Sequence, residues 1–281
     1  MIPMPRLDFL RPLNFFFFAI LASSGYIVSA GSLNITMELV KIILSILFLT
    51  LAANTFNEFS KSKIYELIKS FYPKARRNES NNPVIASSIL LAAGFAVAYS
   101  ISIYTASLYL LIAFLLWIHI YYLKNLRFVR SIFISTAASL AVVVNSNASD
   151  TAHFMALLLF FSNAAGDMVK SITEGMKDRT TFLVNLLKHF ISYIKFDNDR
   201  TRKAAAASLT IFIVFSPAPY LMGLVSISYL GLITISSLVA FVALFNIVKN
   251  GKNLVQLGKT DELIKINMLI AIIAFLAGVL F

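Results

Sequence analysis

Four long stretches of this chain contain no Asp, Glu, Lys or Arg, and they constrain its fold more than any other feature. They run between Arg11 and Glu38, between Glu79 and Lys124, between Arg130 and Asp150, and between Lys203 and Lys249. A helix needs about 20 mostly apolar residues to cross the hydrocarbon of a bilayer. Of the 281 residues, 59% are hydrophobic and only 13% are charged, unlike a water-soluble domain. The chain is therefore predicted to be an integral membrane protein.

Helices account for these stretches better than strands do. Strands of a membrane barrel alternate apolar and polar residues, whereas these stretches are apolar on every side. The second and fourth stretches are each long enough for two crossings, with turns expected near 102–106 and 217–225. The sequence therefore predicts an all-α, polytopic membrane protein that forms a single domain over residues 1–281. The nine predicted transmembrane helices are 12–30, 34–57, 83–102, 105–123, 130–147, 151–172, 204–222, 226–248 and 263–281.

The basic residues between the predicted helices indicate an orientation. Lys and Arg concentrate at the N-terminus and in the segments 58–82, 124–130, 170–203 and 249–265, whereas the four intervening loops contain one charge, Asp150. Positively charged loops stay in the cytoplasm. The prediction is a multi-pass protein of the cytoplasmic membrane with its N-terminus inside and its C-terminus outside. The net charge of +11 is then explained by anionic lipid headgroups, and no binding to nucleic acid is expected.

The two longest loops divide the chain into similar halves. One, at 58–82, follows the second predicted helix, and the other, at 173–203, follows the sixth. Helices 1–4 and 5–8 therefore resemble two four-helix units, with helix 9 appended. This arrangement suggests an internal duplication.

Each half carries a polar stripe near one of these loops, with the same steps of four, three and four residues. Such steps keep side chains on one face of a helix. The first stripe is Asn54, Glu58, Lys61 and Tyr65, and the second is Asp167, Ser171, Glu174 and Asp178. We expect both helices to present polar residues to a shared cavity. Asp167 is the most informative, since it ends an uncharged run and acids at membrane depth are expensive unless they serve a site.

Together with the layout of helices, these residues resemble the UbiA-type intramembrane prenyltransferase family. The resemblance is closest to the archaeal branch, which adds a geranylgeranyl group to geranylgeranylglyceryl phosphate in ether-lipid synthesis. The residues that carry the resemblance are Arg11, Pro12, Asn14, Asn54, Asn57, Glu58, Tyr122, Leu123, Lys124 and the stretch 161–179. The family's activity implies a prenyl diphosphate and a lipophilic acceptor as partners, within membrane lipid.

The chain departs from both aspartate motifs of that family. The first motif reads Asn-Asp, then Asp three residues on and Asp four further; its positions here hold Asn57, Glu58, Lys61 and Tyr65. The second reads Glu-Ile-Val-Lys-Asp-Ile-Glu-Asp and closes with Gly-Asp-Arg. Its positions here are 167–174, which read Asp-Met-Val-Lys-Ser-Ile-Thr-Glu, and 177–179, which read Lys-Asp-Arg. The acid is thus lost at Lys61, Tyr65, Ser171 and Thr173.

The resemblance assigns roles to the remaining motif residues. The implied cofactor is Mg²⁺, which carboxylates and substrate phosphates hold together and which stabilises the departing diphosphate. Its implied ligands are Glu58, Asp167, Glu174 and Asp178. The implied substrate-binding residues are Asn54, Asn57, Tyr122 and Arg179. The implied catalytic cations that bind diphosphate are Lys124 and Lys170.

Two further assignments follow from the chemistry of the reaction. Lys61 lies three residues from Glu58 on the same helical face, so its ammonium group could contact the diphosphate directly as a third catalytic cation. An allylic cation is stabilised by aromatic faces, and the candidates for this role are Trp117, Tyr121 and Tyr122.

Three hypotheses follow for the function. The first is a prenyltransferase with an altered metal site. The second is a relative that has lost catalysis and keeps a lipid-binding or scaffolding role, and the four lost acids favour it. The third is an unrelated transporter, which would place polar sites at the membrane midplane. A cavity between helices 2 and 6 that opens sideways to lipid would indicate the enzyme, and one that opens to the far side would indicate the transporter.

Overall fold

The computed structural model describes residues 12–69, 82–121, 127–145, 147–178, 198–250 and 253–281. Near several helix ends only the backbone is described: the side chains of 12–15, 58–69, 82–83, 121, 127, 174–178, 198, 250 and 254 are not. Nine long helices make up nearly all of the described chain. They are α1 (Pro12–Ala30), α2 (Met37–Lys69), α3 (Asn82–Tyr99), α4 (Ile103–Tyr121), α5 (Arg127–Val142), α6 (Asp150–Asp178), α7 (Asn198–Phe215), α8 (Ile227–Asn250) and α9 (Leu254–Leu280).

The described residues contain helices and no strands, so the prediction of an all-α membrane fold is confirmed. Six of the helices, α2, α4 and α6–α9, are long and apolar enough to cross a bilayer, while the apolar parts of α1, α3 and α5 are shorter, at 10–17 residues. The chain is therefore a multi-pass membrane protein. That all nine helices cross the membrane stays a prediction.

Several helices extend beyond their predicted apolar spans. Helix α2 continues to Lys69 rather than ending at 57, α6 continues to Asp178, and α9 begins at Leu254 rather than at 263. Hydropathy marks only the part of a helix that lipid surrounds. A helix that leaves the membrane keeps its backbone hydrogen bonds, so it need not end where the apolar run ends.

Successive helices run in opposite directions. The Ser87 hydroxyl near the start of α3 donates to the Ala52 carbonyl in the later part of α2, and the Ser226 backbone N–H at the start of α8 donates to the Gly278 carbonyl at the end of α9. We call the end of the bundle where α1, α3, α5, α7 and α9 begin the basic face, and the other end the opposite face. The orientation of these faces in the cell stays a prediction.

Close packing of small residues joins the two halves of the chain. Helix α1 packs against α2 in the first half and against α5, α6 and α9 in the second. Gly25 of α1 touches the backbone of Val142 in α5, since a Cβ placed on this glycine would lie 1.8 Å from the Val142 carbonyl oxygen. Without a hydrophobic driving force between helices in lipid, such close approach is a main source of helix association.

A buried polar cluster joins α6, α8 and α9. The Asn267 side chain of α9 donates to the Ser162 hydroxyl of α6 over 2.9 Å. It also accepts a hydrogen bond from the Ser236 hydroxyl of α8 over 2.5 Å. All three side chains are completely buried. Because each polar group has a partner, the cluster aligns three helices without leaving an unsatisfied group in the apolar interior.

Candidate functional site

Both polar stripes lie on unbroken helices that reach the basic face. Helix α2 is continuous through Asn54, Asn57 and the positions of Glu58, Lys61 and Tyr65, and α6 is continuous through Asp167 to Asp178. The side chains of Glu58, Lys61, Tyr65, Glu174 and Asp178 lie outside the described residues, as do Tyr122, Lys124 and Arg179 altogether. Whether the two stripes face one cavity therefore stays a prediction.

On α2, the predicted site residues whose side chains are described are two amides, Asn54 of the stripe and Asn57 of the motif. The side chains of Asn54 and Asn57 are both partly buried. Helix α2 packs closely on α1, α3 and α4, whereas α6 packs on α5, α7 and α9, so α1 is the helix with close contacts to both stripe-bearing helices. Any site shared by the two stripes would therefore lie beside α1.

Asp167 is the acid of the second stripe whose side chain is described, and neighbouring helices flank it closely. Its side chain is partly buried, and its Oδ2 atom is inaccessible to solvent. One turn earlier, the Asn163 side chain donates to the Ser135 hydroxyl of α5 over 3.2 Å. The adjacent Gly166 packs against Ile264 of α9, because a Cβ at this position would lie 3.2 Å from the Ile264 Cγ2 atom. Asp167 thus lies on α6 at a level where both α5 and α9 hold that helix.

The two positions on α6 that have lost an acid are occupied by hydroxyl groups turned into the protein. Ser171 is 1% exposed, and its hydroxyl has no hydrogen-bond partner among the described residues. Thr173 donates to the Val169 carbonyl of its own helix over 2.9 Å. Neither side chain supplies the negative charge that a carboxylate would give a metal ion. Lys170, immediately before Ser171, has an exposed side chain.

The described side chains alone do not form a metal cage. No group of three or more His, Asp or Glu side chains comes within reach of one ion in the part of the chain that the structure describes. Asp167 is the one predicted ligand with a described side chain. Mg²⁺ is usually held by one or two carboxylates together with substrate phosphates. Asp167 suits that role as a single ligand, and Mg²⁺ stays a proposal.

An acid and a base on α9 near Asp167 were missed at the level of sequence. Lys265 donates to the Asp261 carboxylate over 2.6 Å. The Oδ1 atom of Asp261 would lie 4.0 Å from a Cβ placed on Gly166, next to Asp167. The spacing of four between Asp261 and Lys265 is a helical signal. The sequence predicts a loop over 249–265, whereas α9 already begins at Leu254.

An apolar groove of about 380 Å³ lies among α2, α3 and α4. Its wall includes Phe114 and Trp117 of α4, which are 54% and 42% exposed. In a membrane such side chains face lipid, so the groove opens sideways. The sequence predicted a cavity between α2 and α6, and this groove lies on another side of α2. Trp117 therefore lines the groove among α2, α3 and α4 rather than a cavity between α2 and α6.

Comparison with known proteins gives a match at the level of structure. No protein-family model matches the chain, and no curated protein matches it by sequence. A structure from a study of digeranylgeranylglyceryl phosphate synthase in membranes is similar, with a TM-score of 0.77 and 19% identity over 98% of this chain and 97% of the other. The apo structure of a UbiA homologue from Aeropyrum pernix K1 gives a TM-score of 0.65 and 16% identity over 95% of this chain and 97% of the other.

These matches cover almost the whole of all three chains, so the similarity includes the order and packing of the helices rather than one motif. At such low identities the similarity concerns the fold and not the chemistry. The resemblance noted in the sequence is confirmed at this level: the chain has the fold of the UbiA-type membrane proteins.

Proposed function

We propose that the protein transfers a prenyl group from a prenyl diphosphate to a lipophilic acceptor inside the membrane. The observation that carries the proposal is the fold shared with digeranylgeranylglyceryl phosphate synthase over 98% of the chain. Geranylgeranylglyceryl phosphate is accordingly the first acceptor to test, and geranylgeranyl diphosphate is the first donor. The partly buried Asp167, at a motif position of that family, supports the same reaction.

The reaction breaks the bond between C1 of the allylic chain and a diphosphate oxygen. Diphosphate leaves with the bonding electron pair, a hydroxyl oxygen or an aromatic carbon of the acceptor forms the new bond to C1, and the acceptor loses a proton. The main task of the protein is therefore to stabilise negative charge on the leaving group. Mg²⁺, when bound, would supply part of the positive charge that stabilises the leaving group.

In this proposal the residues of the two stripes and of the family motifs have three roles: metal binding, diphosphate binding and substrate orientation. Asp167 would hold the metal ion together with the carboxylates of Glu58, Glu174 and Asp178. The cations Lys61, Lys124 and Lys170 bind the diphosphate, and Asn54, Asn57, Tyr122 and Arg179 orient the substrates. Only some of these side chains are described, so the arrangement rests on the helical positions and on the motif.

The apolar groove gives a second line of support. A prenyl chain needs a hydrocarbon environment and a path from the bilayer. The groove among α2, α3 and α4 has an almost entirely apolar lining and opens to lipid. A transporter would instead need a polar path across the membrane. We further propose that all nine helices cross the membrane, that the basic face is cytoplasmic, and that α1–α4 and α5–α8 are pseudo-repeats.

A specific observation favours a second candidate, a lipid-binding protein without catalysis. Ser171 and Thr173 stand at acid positions of the family motif, and their hydroxyl groups are buried or bonded within the helix. Loss of these acids weakens metal binding. Such a protein would bind the prenyl diphosphate and release it unchanged.

Separation of the lipid products distinguishes the candidates. Purified protein in lipid vesicles is incubated with radiolabelled geranylgeranyl diphosphate, Mg²⁺ and one acceptor at a time, namely geranylgeranylglyceryl phosphate, an aromatic acid and a quinol precursor. Transfer of label to one acceptor supports the enzyme. Binding of the donor without transfer to any acceptor supports the lipid-binding protein. Absence of both binding and transfer contradicts the proposed function.

A further inference from the structure

Two residues outside both motifs meet at the basic face, where α4 ends and α5 begins. His119 lies in the last turn of α4, and Arg130 lies in the first turn of α5, which starts at Arg127. The Arg130 guanidinium lies close enough to the His119 ring for their charges to interact. Both side chains are partly buried. Ionisable side chains at membrane depth mark a functional site by default.

The register between α5 and α6 brings Arg130 level with Asp167. The hydrogen bond from Asn163 to Ser135 fixes this register. Arg130 comes five residues before Ser135, and Asp167 comes four residues after Asn163. At about 1.5 Å per residue, the two side chains start about 7.5 Å and about 6 Å from this bond, both toward the basic face. A cation on α5 therefore lies at the same level of the bundle as the acid that the motif places on α6.

The His119 ring supplies an independent sign of a ligand. Its Nδ1 atom is buried and has no hydrogen-bond partner among the described residues. A buried polar atom left without a partner costs about 1–3 kcal/mol, so such atoms are rare unless something binds to them. The backbone N–H groups of the first turn of α5 also lie at this end, and they favour an anion. Nδ1–H, guanidinium and helix N-terminus together suit a phosphate group.

We infer that Arg130 and His119 bind the diphosphate of the prenyl donor, an inference that rests on the proposed function. Arg130 binds two phosphate oxygens through its planar guanidinium, and His119 donates one hydrogen bond from Nδ1. This explains how a chain with Lys61, Tyr65, Ser171 and Thr173 at acid positions can still stabilise the leaving group. The lost acids would have held metal ions, and positive side chains here supply the positive charge that those ions would have brought.

Isothermal titration of the purified protein with geranylgeranyl diphosphate, without acceptor, tests this inference. We expect Arg130→Gln to raise the Kd at least about tenfold, which corresponds to about 1.4 kcal/mol. Lys249→Gln is the matched control, because Lys249 is an exposed cation at the end of α8 on the same face, and its Kd should stay within about twofold of the parent. Geranylgeraniol has the same chain without phosphate, so its Kd for both variants should equal its Kd for the parent.

A structural role for Arg130, in which it only neutralises Asp167, predicts a different outcome. In that case, with Mg²⁺ chelated so that Asp167 has no metal to hold, the double variant Arg130→Gln with Asp167→Asn regains the affinity that the parent shows under the same conditions. If Arg130 binds the diphosphate, the double variant stays weak. Should Arg130→Gln fail to fold, Arg130→Lys can be tested instead. It keeps the positive charge but cannot form a bidentate contact with phosphate, and we expect its Kd for the diphosphate to rise at least about threefold. Parent-like Kd values for Arg130→Lys and His119→Gln would then overturn the inference.

The inference and the proposed function fail in different ways. Tight binding of the diphosphate by the parent and equally tight binding by Arg130→Gln would overturn the role of Arg130 and leave the transferase intact. A parent that neither binds geranylgeranyl diphosphate nor transfers its prenyl group would contradict the proposed function itself.

Discussion

Asp167 ends a run of sixteen residues of α6 that contains no other charge. A carboxylate at this depth costs free energy, and a site that uses its charge explains why the residue is there. Arg130 on α5 lies at the same level of the bundle, toward the basic face. The sequence identified Asp167 because it interrupts an apolar run. It could not identify Arg130 in the same way, because the level of one helix relative to another depends on contacts between them.

The first prediction concerns Asp167→Asn, which keeps the size of the side chain and removes its charge. If Asp167 holds the metal ion that stabilises the departing diphosphate, this variant should lower the rate of prenyl transfer at least about tenfold, or about 1.4 kcal/mol of transition-state stabilisation. Radiolabelled product formation in vesicles measures the rate. Glu262→Gln serves as the control, since Glu262 is an exposed acid on α9. Equal rates for Asp167→Asn and the parent would remove Asp167 from the site.

The second prediction concerns the buried cluster around Asn267. Asn267→Leu replaces the amide with an apolar group of similar shape and leaves the Ser162 and Ser236 hydroxyls without it. Hydrogen bonds between membrane helices contribute about 0.6 kcal/mol on average, so the loss of two should destabilise the protein by about 1 kcal/mol. Thermal unfolding in detergent measures the change. The control Thr234→Val removes an exposed hydroxyl that bonds only to Leu230 of its own helix, and its unfolding midpoint should not move.

At the scale of the helix, small residues decide how closely neighbours pack. Gly25→Ala would push a methyl group into the Val142 backbone, which cannot rotate away. The third prediction is that this variant loses about 1–3 kcal/mol of stability, the usual range for overpacking. Gly231→Ala on α8 is the matched control, because nothing lies within 4 Å of its added Cβ. It should be neutral or stabilising by about 0.5–1 kcal/mol. Equal thermal midpoints for the two variants would contradict this packing.

Helices could be predicted where charge-free runs exceed the width of the bilayer. For α1 the predicted bounds of 12–30 and the observed Pro12–Ala30 agree. The ends of α2 and α6 and the start of α9 could not be predicted in this way, because these helices continue beyond their apolar runs. The Asp261–Lys265 pair falls within a predicted loop for the same reason, because α9 begins before its apolar run. The polar stripes are visible in the sequence because the residues of each stripe follow helical spacing on a single helix.

At the scale of the whole molecule, the alternation of basic and neutral loops predicts the topology. The chain contains no cysteine, so single cysteines can be labelled without background. The fourth prediction is that Ser100→Cys, in the exposed turn after α3, reacts with an impermeant maleimide on intact cells. Ser70→Cys, in a predicted basic loop, should react only after the cells are opened. Labelling of Ser70→Cys in intact cells would contradict the proposed orientation.

The central claim is that a protein of this fold transfers a prenyl group and releases diphosphate. Both products can be counted in one experiment, with labelled geranylgeranyl diphosphate, geranylgeranylglyceryl phosphate, Mg²⁺ and the purified protein in vesicles. The account predicts that labelled lipid and inorganic diphosphate appear in equal amounts, and that both fall together in Asp167→Asn. Donor that remains intact in the presence of the parent protein and every acceptor tested would contradict it.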